Sequence, residues 1–381
     1  MKKVRVIIAG IMVCLIVVGW VKWGLSGIKT QNYFLEYVEN ANQYMDEKLY
    51  QKAIQEYEKA LNISKDYLFN IKNGNIDGAN KLCTDELLKG NVNIDEGISK
   101  ISSFDKEKSI EGNNFAYYIY NIIRTSSTEP KSDLESLTIK VEKIEDQYLI
   151  NGVKSQSKKE LFVDGKHLRI LEEEGSNSNL VMSLNSVPKD TYVSENDIML
   201  YKAKVPNEAF GKVGLSFTGK KVAISTKGQE QAYICVANIE DSITTFMADN
   251  SAASGSNGEN TMSQLEELFE KPIAKKIVSL DLLKDCEINN FIFSKKEDSL
   301  AVAYSKGNGV RRVNIYNANE GDIISKAINE EFNEAEYNID ELGFNAEEFI
   351  FNVSKVNSTG NADEKEGQYS FDIKSYEIKK L

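Results

Sequence analysis

The chain has 381 residues, of which 58 are acidic and 46 are basic, giving a formal net charge of −12 at pH 7. This acidic balance excludes the broad basic surface that binding to nucleic acid or to anionic lipid headgroups requires. Hydrophobic residues make up 41 % and charged residues 27 % of the chain, which is ordinary for globular proteins, and the length allows two or three domains.

The chain begins with a short basic tail that is followed by an apolar segment. Three of the first five residues are basic, and the sixteen residues from Val6 to Val21 carry no charge. A bilayer core of about 30 Å needs roughly 17–25 helical residues. The sequence therefore predicts a cytoplasmic tail over residues 1–5 and a membrane anchor over residues 6–25, with the bulk of the chain extracytoplasmic.

The end of the apolar segment carries residues that suit a membrane interface. The segment reaches spanning length if Lys22 extends outward and if Trp20 and Trp23 lie at the interface with membrane lipid. A cleaved signal peptide is the alternative, because Gly24-Leu25-Ser26 could form a small-residue cleavage site. The predicted localisation is the cell membrane, with a single pass and a cytoplasmic N-terminus.

Residues 30–66 have the pattern of two amphipathic helices joined by a turn. Aromatic and small residues recur there at helical spacing, namely Tyr37, Ala41, Tyr44, Tyr50, Ala53, Tyr57 and Ala60. These spacings resemble those of a tetratricopeptide repeat, although Lys48 stands at the usual turn glycine and Lys65 at the usual final proline. One repeat cannot bury its own face, so we expect the stripe of tyrosines to pack on another domain or another chain. A peptide-binding groove is the alternative use of this stripe, which consists of Tyr37, Tyr44, Tyr50 and Tyr57.

Residues 67–155 predict a small α+β domain. Tyr67–Leu88 has a helical pattern with a turn at Asn73-Gly74, and Asn113–Arg124 and Leu137–Val153 have the composition of strands. This order of helices and antiparallel strands resembles the nuclear transport factor two-like fold of bacterial extracytoplasmic proteins. The resemblance implies a curved sheet and helices that can enclose a pocket. Because the region has no histidine, the resemblance implies binding or scaffolding rather than catalysis.

Residues 158–381 contain four similar units, each formed by an apolar strand, a short polar turn and a second apolar strand. The units begin at residues 161, 213, 291 and 342. They resemble β-propeller blades of the WD-like or TolB-like kind, and a β-sandwich fits the number of strands nearly as well. A low-complexity loop covers residues 249–262. The predicted fold class is therefore multidomain α+β, with a transmembrane helix, a tetratricopeptide-like hairpin, a small α+β domain and a C-terminal all-β domain.

No pattern of residues predicts a catalytic centre, a cofactor site or a metal site. His167 is the only histidine and no GxSxG motif accompanies it, so we expect a structural or surface histidine. Residues 214–220 match the start of a phosphate-binding loop, but Lys221 replaces the Ser or Thr that holds magnesium, and the stretch alternates like a hairpin. Cys235 and Cys286 either form a disulfide or are buried thiols.

Together these features predict a non-enzymatic, extracytoplasmic protein-binding or scaffold protein of a bacterial cell envelope. The expected partner is another protein or a second copy of the chain, and no nucleic acid is expected. Two alternatives stay open. One is a subunit of a conjugative or secretion assembly, which a single anchor followed by a nuclear transport factor two-like domain resembles. The other is a ligand-sensing β domain or an envelope hydrolase.

Overall fold

A computed structural model describes most of the chain after residue 49. The described residues are 50–90, 99–112, 114–172, 177–196, 199–228, 230–240, 269–357 and 364–381. The chain divides into two compact units, residues 1–62 and 63–381, and the first unit is described only where it forms helix. The predicted cytoplasmic tail, the predicted membrane anchor over residues 6–25 and the low-complexity loop over residues 249–262 all lie outside the described residues.

The prediction of a single-pass membrane protein needs a correction. Within the described ranges, no helix combines the length and the apolar character that crossing a membrane requires. Among the described residues, the structure therefore gives no support to a single-pass anchor or to the membrane localisation predicted from it.

Helices make up a small part of the described chain. Four α-helices occur in the described residues, namely α1 (Tyr50–Lys72), α2 (Ile76–Asn80), α3 (Asp85–Lys89) and α4 (Lys326–Glu331). Helix α1 continues through Lys65, where the repeat should have ended. Its last residue is Lys72, and Gly74, which has a φ of +69°, follows it. The N–H of Gly74 donates to the carbonyl of Ile71, and the N–H of Asn75 donates to the carbonyl of Asn70. These bonds form a glycine C-terminal cap.

The tetratricopeptide resemblance is therefore wrong, and so is the multidomain α+β fold class. Of the described residues, about 59 % lie in strands and 15 % in helices, so the structure is predominantly all-β. The physical reason is local. Alanines and tyrosines at helical spacing make α1 amphipathic, but without a proline or glycine near Lys65 nothing stops the helix until Gly74.

Six antiparallel strands form the first sheet in simple sequence order, and the helices cover part of one face. The strands are β1 (Ser99–Glu111), β2 (Phe115–Ser126), β3 (Lys131–Ile144), β4 (Gln147–Asp164), β5 (His167–Glu172) and β6 (Asn179–Ser183). Tyr67, Leu68 and Ile71 of helix α1 are buried, and the hydroxyls of Ser64 and Tyr120 form a hydrogen bond of 2.6 Å. Helix α1 therefore packs against β2.

The nuclear transport factor two-like resemblance is also wrong, although helices do precede antiparallel strands. The sheet is an uninterrupted meander, and its longest strand, β4, crosses the predicted domain boundary between residues 155 and 158. The polar stretch Lys154–Lys159 lies at that boundary. It is part of the strand because its backbone pairs with β3 from Thr138 to Leu134, while its polar side chains lie at or near the surface.

The remaining chain folds into smaller meanders, which confirms the predicted all-β character of the C-terminal region. The strands are β7 (Asp190–Asn196), β8 (Met199–Lys204), β9 (Ala209–Leu215), β10 (Lys221–Gly228), β11 (Gln231–Ile239), β12 (Ala274–Lys284), β13 (Cys286–Phe293), β14 (Ser299–Lys306), β15 (Arg311–Asn317), β16 (Tyr337–Asn345), β17 (Glu348–Lys355), β18 (Gly367–Asp372) and β19 (Ile378–Lys380). All four predicted strand–turn–strand units are hairpins, formed by β4–β5, β9–β10, β13–β14 and β16–β17.

These sheets stack face to face in chain order, with one apolar layer between each pair. One layer lies between the six-stranded sheet and the sheet β9–β12, a second lies between β9–β12 and β13–β15, and a third lies between β13–β15 and β16–β19. Consecutive meanders of three or four strands that pack in sequence order are the arrangement of propeller blades. A two-sheet sandwich has a single such layer.

Glu297 ties the turns of two adjacent sheets together. Its buried carboxylate accepts hydrogen bonds from the backbone N–H and the hydroxyl of Thr218, at 2.6 and 2.9 Å, and its carbonyl accepts one from the amine of Lys221 at 2.6 Å. Hydrogen bonds to a carboxylate are stronger than those between neutral groups. The turn after β9 is therefore held against the turn after β13.

We expect Glu297→Ala to lower the free energy of unfolding by about 1–2 kcal/mol, because the N–H and the hydroxyl of Thr218 lose a charged acceptor. Urea denaturation measures the loss. Glu297→Gln is the matched control, since its amide can accept from the N–H and donate to the hydroxyl, and it should cost less than half as much. Equal losses in the two variants would contradict this role of the carboxylate.

Candidate functional site

The site residues predicted from the sequence are mostly outside the described part of the chain. Tyr57 lies on helix α1 and is 38 % exposed. Tyr50 is the first residue of that helix. The structure does not describe Tyr37, Tyr44, Trp20, Lys22 or Trp23. The tyrosine stripe therefore stays a prediction, both as a packing face and as a groove.

The histidine, the stretch resembling a phosphate-binding loop and the cysteines lie on separate strands and turns. His167 is exposed at the first position of β5. The stretch resembling a phosphate-binding loop is the turn of the β9–β10 hairpin, as its alternation predicted. Cys83, Cys235 and Cys286 are free thiols. Of the two alternatives for Cys235 and Cys286, the structure therefore has the thiols and not the disulfide. Over the described ranges, no group of three or more His, Cys, Asp or Glu side chains is placed to hold a metal ion.

An apolar groove lies where helix α1 ends against the first residues and turns of several strands. We call it the phenylalanine groove, and it has a volume of about 240 Å³. Five phenylalanines line it, namely Phe69, Phe104, Phe217, Phe293 and Phe344. Lys72, Asp105, Lys295, Leu342, Ile350 and Gln368 are among its other lining residues.

Elements that are distant in sequence bring these phenylalanines together. Phe69 lies one helical turn before Lys72 on α1, so both side chains lie on the same face. Phe293 ends β13, Phe217 follows β9, and Phe344 lies at the end of β16. These three rings line the same groove. The hairpin turns after β9, β13 and β16, which belong to three adjacent sheets, therefore lie at the same edge of the stack. Phe69 is 43 % exposed, so the groove opens to solvent beside α1.

Lys72 is a part-buried polar residue of the groove lining. Its amine donates a hydrogen bond of 2.7 Å to the carbonyl of Leu342. Burial of the ammonium lowers the pKa of Lys72 to about 8, and the nearby carboxylate of Glu341 opposes that shift only in part. The groove therefore contains a cation that the protein desolvates without giving it a carboxylate at ion-pair distance among the described residues.

The rim of the groove carries an ordinary surface ion pair. The amine of Lys295 lies 2.9 Å from the carboxylate of Asp105 and 3.4 Å from the carbonyl of Lys106. Lys295 is well exposed, so solvent screens this pair and it contributes little to stability. The pair joins β1 to the turn after β13 and closes one side of the groove.

Sequence reasoning missed both the groove and Lys72. A lysine in the last turn of a helix is a common partner of the helix dipole, so it draws no attention in a sequence. The signal that could have found the groove was the phenylalanine beside each hairpin turn, since Phe217, Phe293 and Phe344 occupy similar positions in three of the four repeated units.

A second cavity, of about 620 Å³, has a mixed polar and apolar lining and lies at another edge of the stack. Four glutamates and two lysines line it, namely Glu129, Glu208, Glu230, Glu287, Lys212 and Lys227. The amine of Lys212 donates to the carbonyl of Ser126 at 2.5 Å, and burial lowers the pKa of this lysine. Its lining is about half polar, whereas binding sites are mainly apolar with a few placed polar groups. The phenylalanine groove fits that description better.

Comparison with known proteins gives no family. No protein-family model matches the sequence, and no curated protein matches it. Among solved structures, the chain resembles TolB from Acinetobacter baumannii at 12 % identity, over 68 % of this chain and 56 % of that chain, with a TM-score of 0.27. A prolyl endopeptidase is similar at 10 % identity, over 65 % of this chain and 30 % of that chain, with a TM-score of 0.23.

A puromycin-hydrolyzing peptidase of Mycobacterium tuberculosis is similar at 9 % identity, over 74 % of this chain and 53 % of that chain, with a TM-score of 0.19. The chain thus spans about half or less of the length of these three structures. We transfer no activity, substrate or ligand from them, and the blade-like architecture described above rests on the sheet topology of this chain.

Proposed function

We propose that this protein is a binding module that holds a short apolar segment of a partner protein in the phenylalanine groove, and that it is not an enzyme. The observation that carries the proposal is a groove whose lining combines five phenylalanines with the desolvated amine of Lys72. Small-molecule sites usually enclose about 300–1,000 Å³. A groove of about 240 Å³ suits one or two anchoring side chains of a larger partner.

The charge of Lys72 supports a specific kind of segment. A desolvated ammonium gains most from a carboxylate that arrives with the ligand, because the two charges then interact away from water. The proposed segment therefore carries a large apolar side chain and, next to it, an Asp, a Glu or a chain terminus. The apolar side chain contributes affinity by burying surface among the phenylalanines, and the carboxylate contributes specificity.

The surroundings of Lys72 support binding rather than catalysis. Its amine contacts a backbone carbonyl, and the groove lining includes no histidine or cysteine. General acid–base chemistry needs a second titratable group within hydrogen-bond reach of the reacting atoms. Asp105, the acidic residue in the lining, is held by Lys295 at the rim.

Site-specific photo-cross-linking in the producing cells tests the proposal. A photoreactive phenylalanine at position 69 should capture a partner, and Lys72→Met should reduce that capture about tenfold because the carboxylate contact is lost. Phe115, which is 41 % exposed on the six-stranded sheet, is the matched control position. The cross-linked peptide should contain an aromatic or large aliphatic residue beside an acidic one.

Three outcomes would count against the groove as the binding site. Position 69 could give no product, position 115 could give the same product, or the captured peptide could lack an acidic residue. Among the described residues, no observation favours the secretion-assembly or hydrolase alternative over this one.

A second candidate function, small-molecule binding, has one observation in its favour. The second cavity, of about 620 Å³, lies within the usual size range of ligand sites. Its mixed lining of glutamates and lysines would suit a zwitterionic molecule. A ligand-induced rise in the melting temperature that Lys212→Met abolishes and Lys72→Met leaves intact would identify this cavity as the site.

A further inference from the structure

A separate cavity of about 440 Å³ lies beside helix α4, and a buried arginine lines it. We call it the Arg312 cavity. Its lining residues are Tyr304, Arg312, Asn329, Glu330, Asn333 and Glu334. Arg312 is in β15 and is only 2 % exposed, and Tyr304 is in β14 and is 7 % exposed. The two polar side chains at the inner wall are therefore both fixed by the sheet β13–β15.

The guanidinium of Arg312 has only neutral partners. It donates to the carbonyl of Tyr337 at 3.2 Å and to the amide oxygen of Asn329 at 2.6 Å. Within the part of the chain that the structure describes, Arg312 forms no ion pair, and the hydroxyl of Tyr304 forms no hydrogen bond. The adjacent Arg311 differs from Arg312 in this respect, because it forms a two-bond ion pair with Asp340 at the surface.

A buried charge that has no carboxylate at ion-pair distance is costly to fold, and a more distant carboxylate, that of Glu334, offsets only part of the cost. Burial lowers the pKa of Arg312, and the nearby Tyr304 and Glu334 oppose that shift only in part, although an arginine keeps its proton at any physiological pH. Taking such a charge out of water costs several kcal/mol unless an opposite charge compensates it. The guanidinium has five N–H donors and uses two in the contacts named above, so donors are left for a ligand.

We propose that the Arg312 cavity binds an oxyanion, a carboxylate or phosphate group of a small ligand, through the guanidinium of Arg312 and the hydroxyl of Tyr304. A guanidinium fork matches the oxygens of both groups. Asn329 orients the fork, since it accepts from Arg312 and donates to the amide oxygen of Asn314 at 3.0 Å. The oxyanion would supply a counter-charge at ion-pair distance, closer to the guanidinium than Glu334 lies.

The acidic residues at the cavity mouth set the affinity. Glu334 is exposed and forms an ion pair with Lys306, and Glu330 is exposed at the end of helix α4. Both carboxylates repel an incoming anion, so the free ion should bind weakly. Neutralising Glu334 should strengthen anion binding, whereas a site that merely attracted ions through surface charge would involve the exposed Arg311 equally.

Titration of the full chain with inorganic phosphate and, separately, with acetate tests this proposal at constant ionic strength set with sodium chloride. The readouts are the melting temperature and the NMR signal of the Arg312 side-chain N–H. We expect a saturable response to at least one anion, binding at least tenfold weaker in Arg312→Gln, and binding about threefold tighter in Glu334→Gln. Arg311→Gln is the matched control and should leave the binding unchanged.

The two probes separate the possible chemistries, since a response to phosphate alone identifies a phosphate site and a response to acetate alone identifies a carboxylate site. If Arg312→Gln does not fold, Tyr304→Phe decides, because it removes one donor and should weaken binding about fivefold. The proposal is overturned if neither anion gives a saturable response in the wild-type chain. It is also overturned if Tyr304→Phe binds as well as wild type, or if Arg311→Gln weakens binding as much as the Arg312 or Tyr304 variant does.

Discussion

Replacing Phe332 with alanine is expected to lower the free energy of unfolding by about 3–5 kcal/mol. Phe332 follows helix α4, is fully buried, and lies in the apolar layer between the sheets β13–β15 and β16–β19. Its ring makes edge contacts with three others, at centroid distances of 6.1 Å to Tyr337, 5.9 Å to Phe351 and 4.9 Å to Tyr369. Removing it leaves a cavity that rigid strands on both sides cannot close. Urea denaturation of the full chain measures the loss.

Phe115→Ala is the control for this prediction. Phe115 contacts the ring of Tyr117 at 5.6 Å but is 41 % exposed at the first position of β2, so its loss should cost about 1 kcal/mol or less. The expected difference between the two variants comes from burial, since both lose the same side chain. A loss of less than 1 kcal/mol in Phe332→Ala would show that the two sheets can close over the vacated volume.

Replacing Lys72 with methionine is expected to stabilise the protein at pH 7 by about 1–2 kcal/mol, while it weakens binding in the phenylalanine groove. The pKa of Lys72 is lowered to about 8 in the folded state, from an ordinary value of about 10.5. Below pH 8 both states carry the proton, so the folded state bears the full cost of the buried charge. Methionine removes that cost and keeps most of the apolar contacts, at the loss of the bond to the carbonyl of Leu342.

The pH dependence of the wild-type chain provides the stricter test. Between about pH 8 and pH 10.5 the unfolded state binds more protons at Lys72 than the folded state does, so this residue makes the protein more stable as the pH rises. The whole gain is at most about 3 kcal/mol, and Lys72→Met should lack it. Unfolding by urea at pH 7 and at pH 10 measures the difference.

Lys295→Met is the matched control at the rim of the same groove. Its amine is well exposed and pairs with Asp105, so its removal should cost less than 1 kcal/mol at pH 7 and should not stabilise the chain. The free energies of unfolding of Lys72→Met and wild type could differ by the same amount at pH 7 and at pH 10. In that case the desolvation of Lys72 is not the cause of the difference in stability. A desolvated cation that lowers the stability of the fold is typical of residues that bind a ligand, because function and stability often oppose each other.

Hairpins were the part of this fold that local sequence determined well. The turn from Gly214 to Lys220 alternates apolar and polar residues around Gly219, whose φ is +64°, and the structure has a hairpin there. The end of helix α1 was readable in the same way, since Asn73-Gly74 is a standard helix end. Both features depend on neighbours in sequence, so they need no knowledge of what packs on them.

The domain organisation was decided by pairing between distant residues. The polar stretch Lys154–Lys159 has no apolar face to mark it as a strand, and it became one because β3 supplies partners for its backbone. Resemblances that rested on a few helical spacings failed for the same reason, because a spacing describes one face of an element and not what covers it. Only the assembled sheets show that helix α1 packs on β2 through residues such as Ser64 and Tyr120.

The sequence by itself determined the acidic charge, the four hairpin units and the all-β character of the C-terminal region, because composition and alternation are local properties. The tertiary structure alone decided the order in which the sheets stack, the phenylalanine groove and the burial of Arg312 without an ion pair among the described residues. A groove and a desolvated charge exist only where elements far apart in sequence exclude water together.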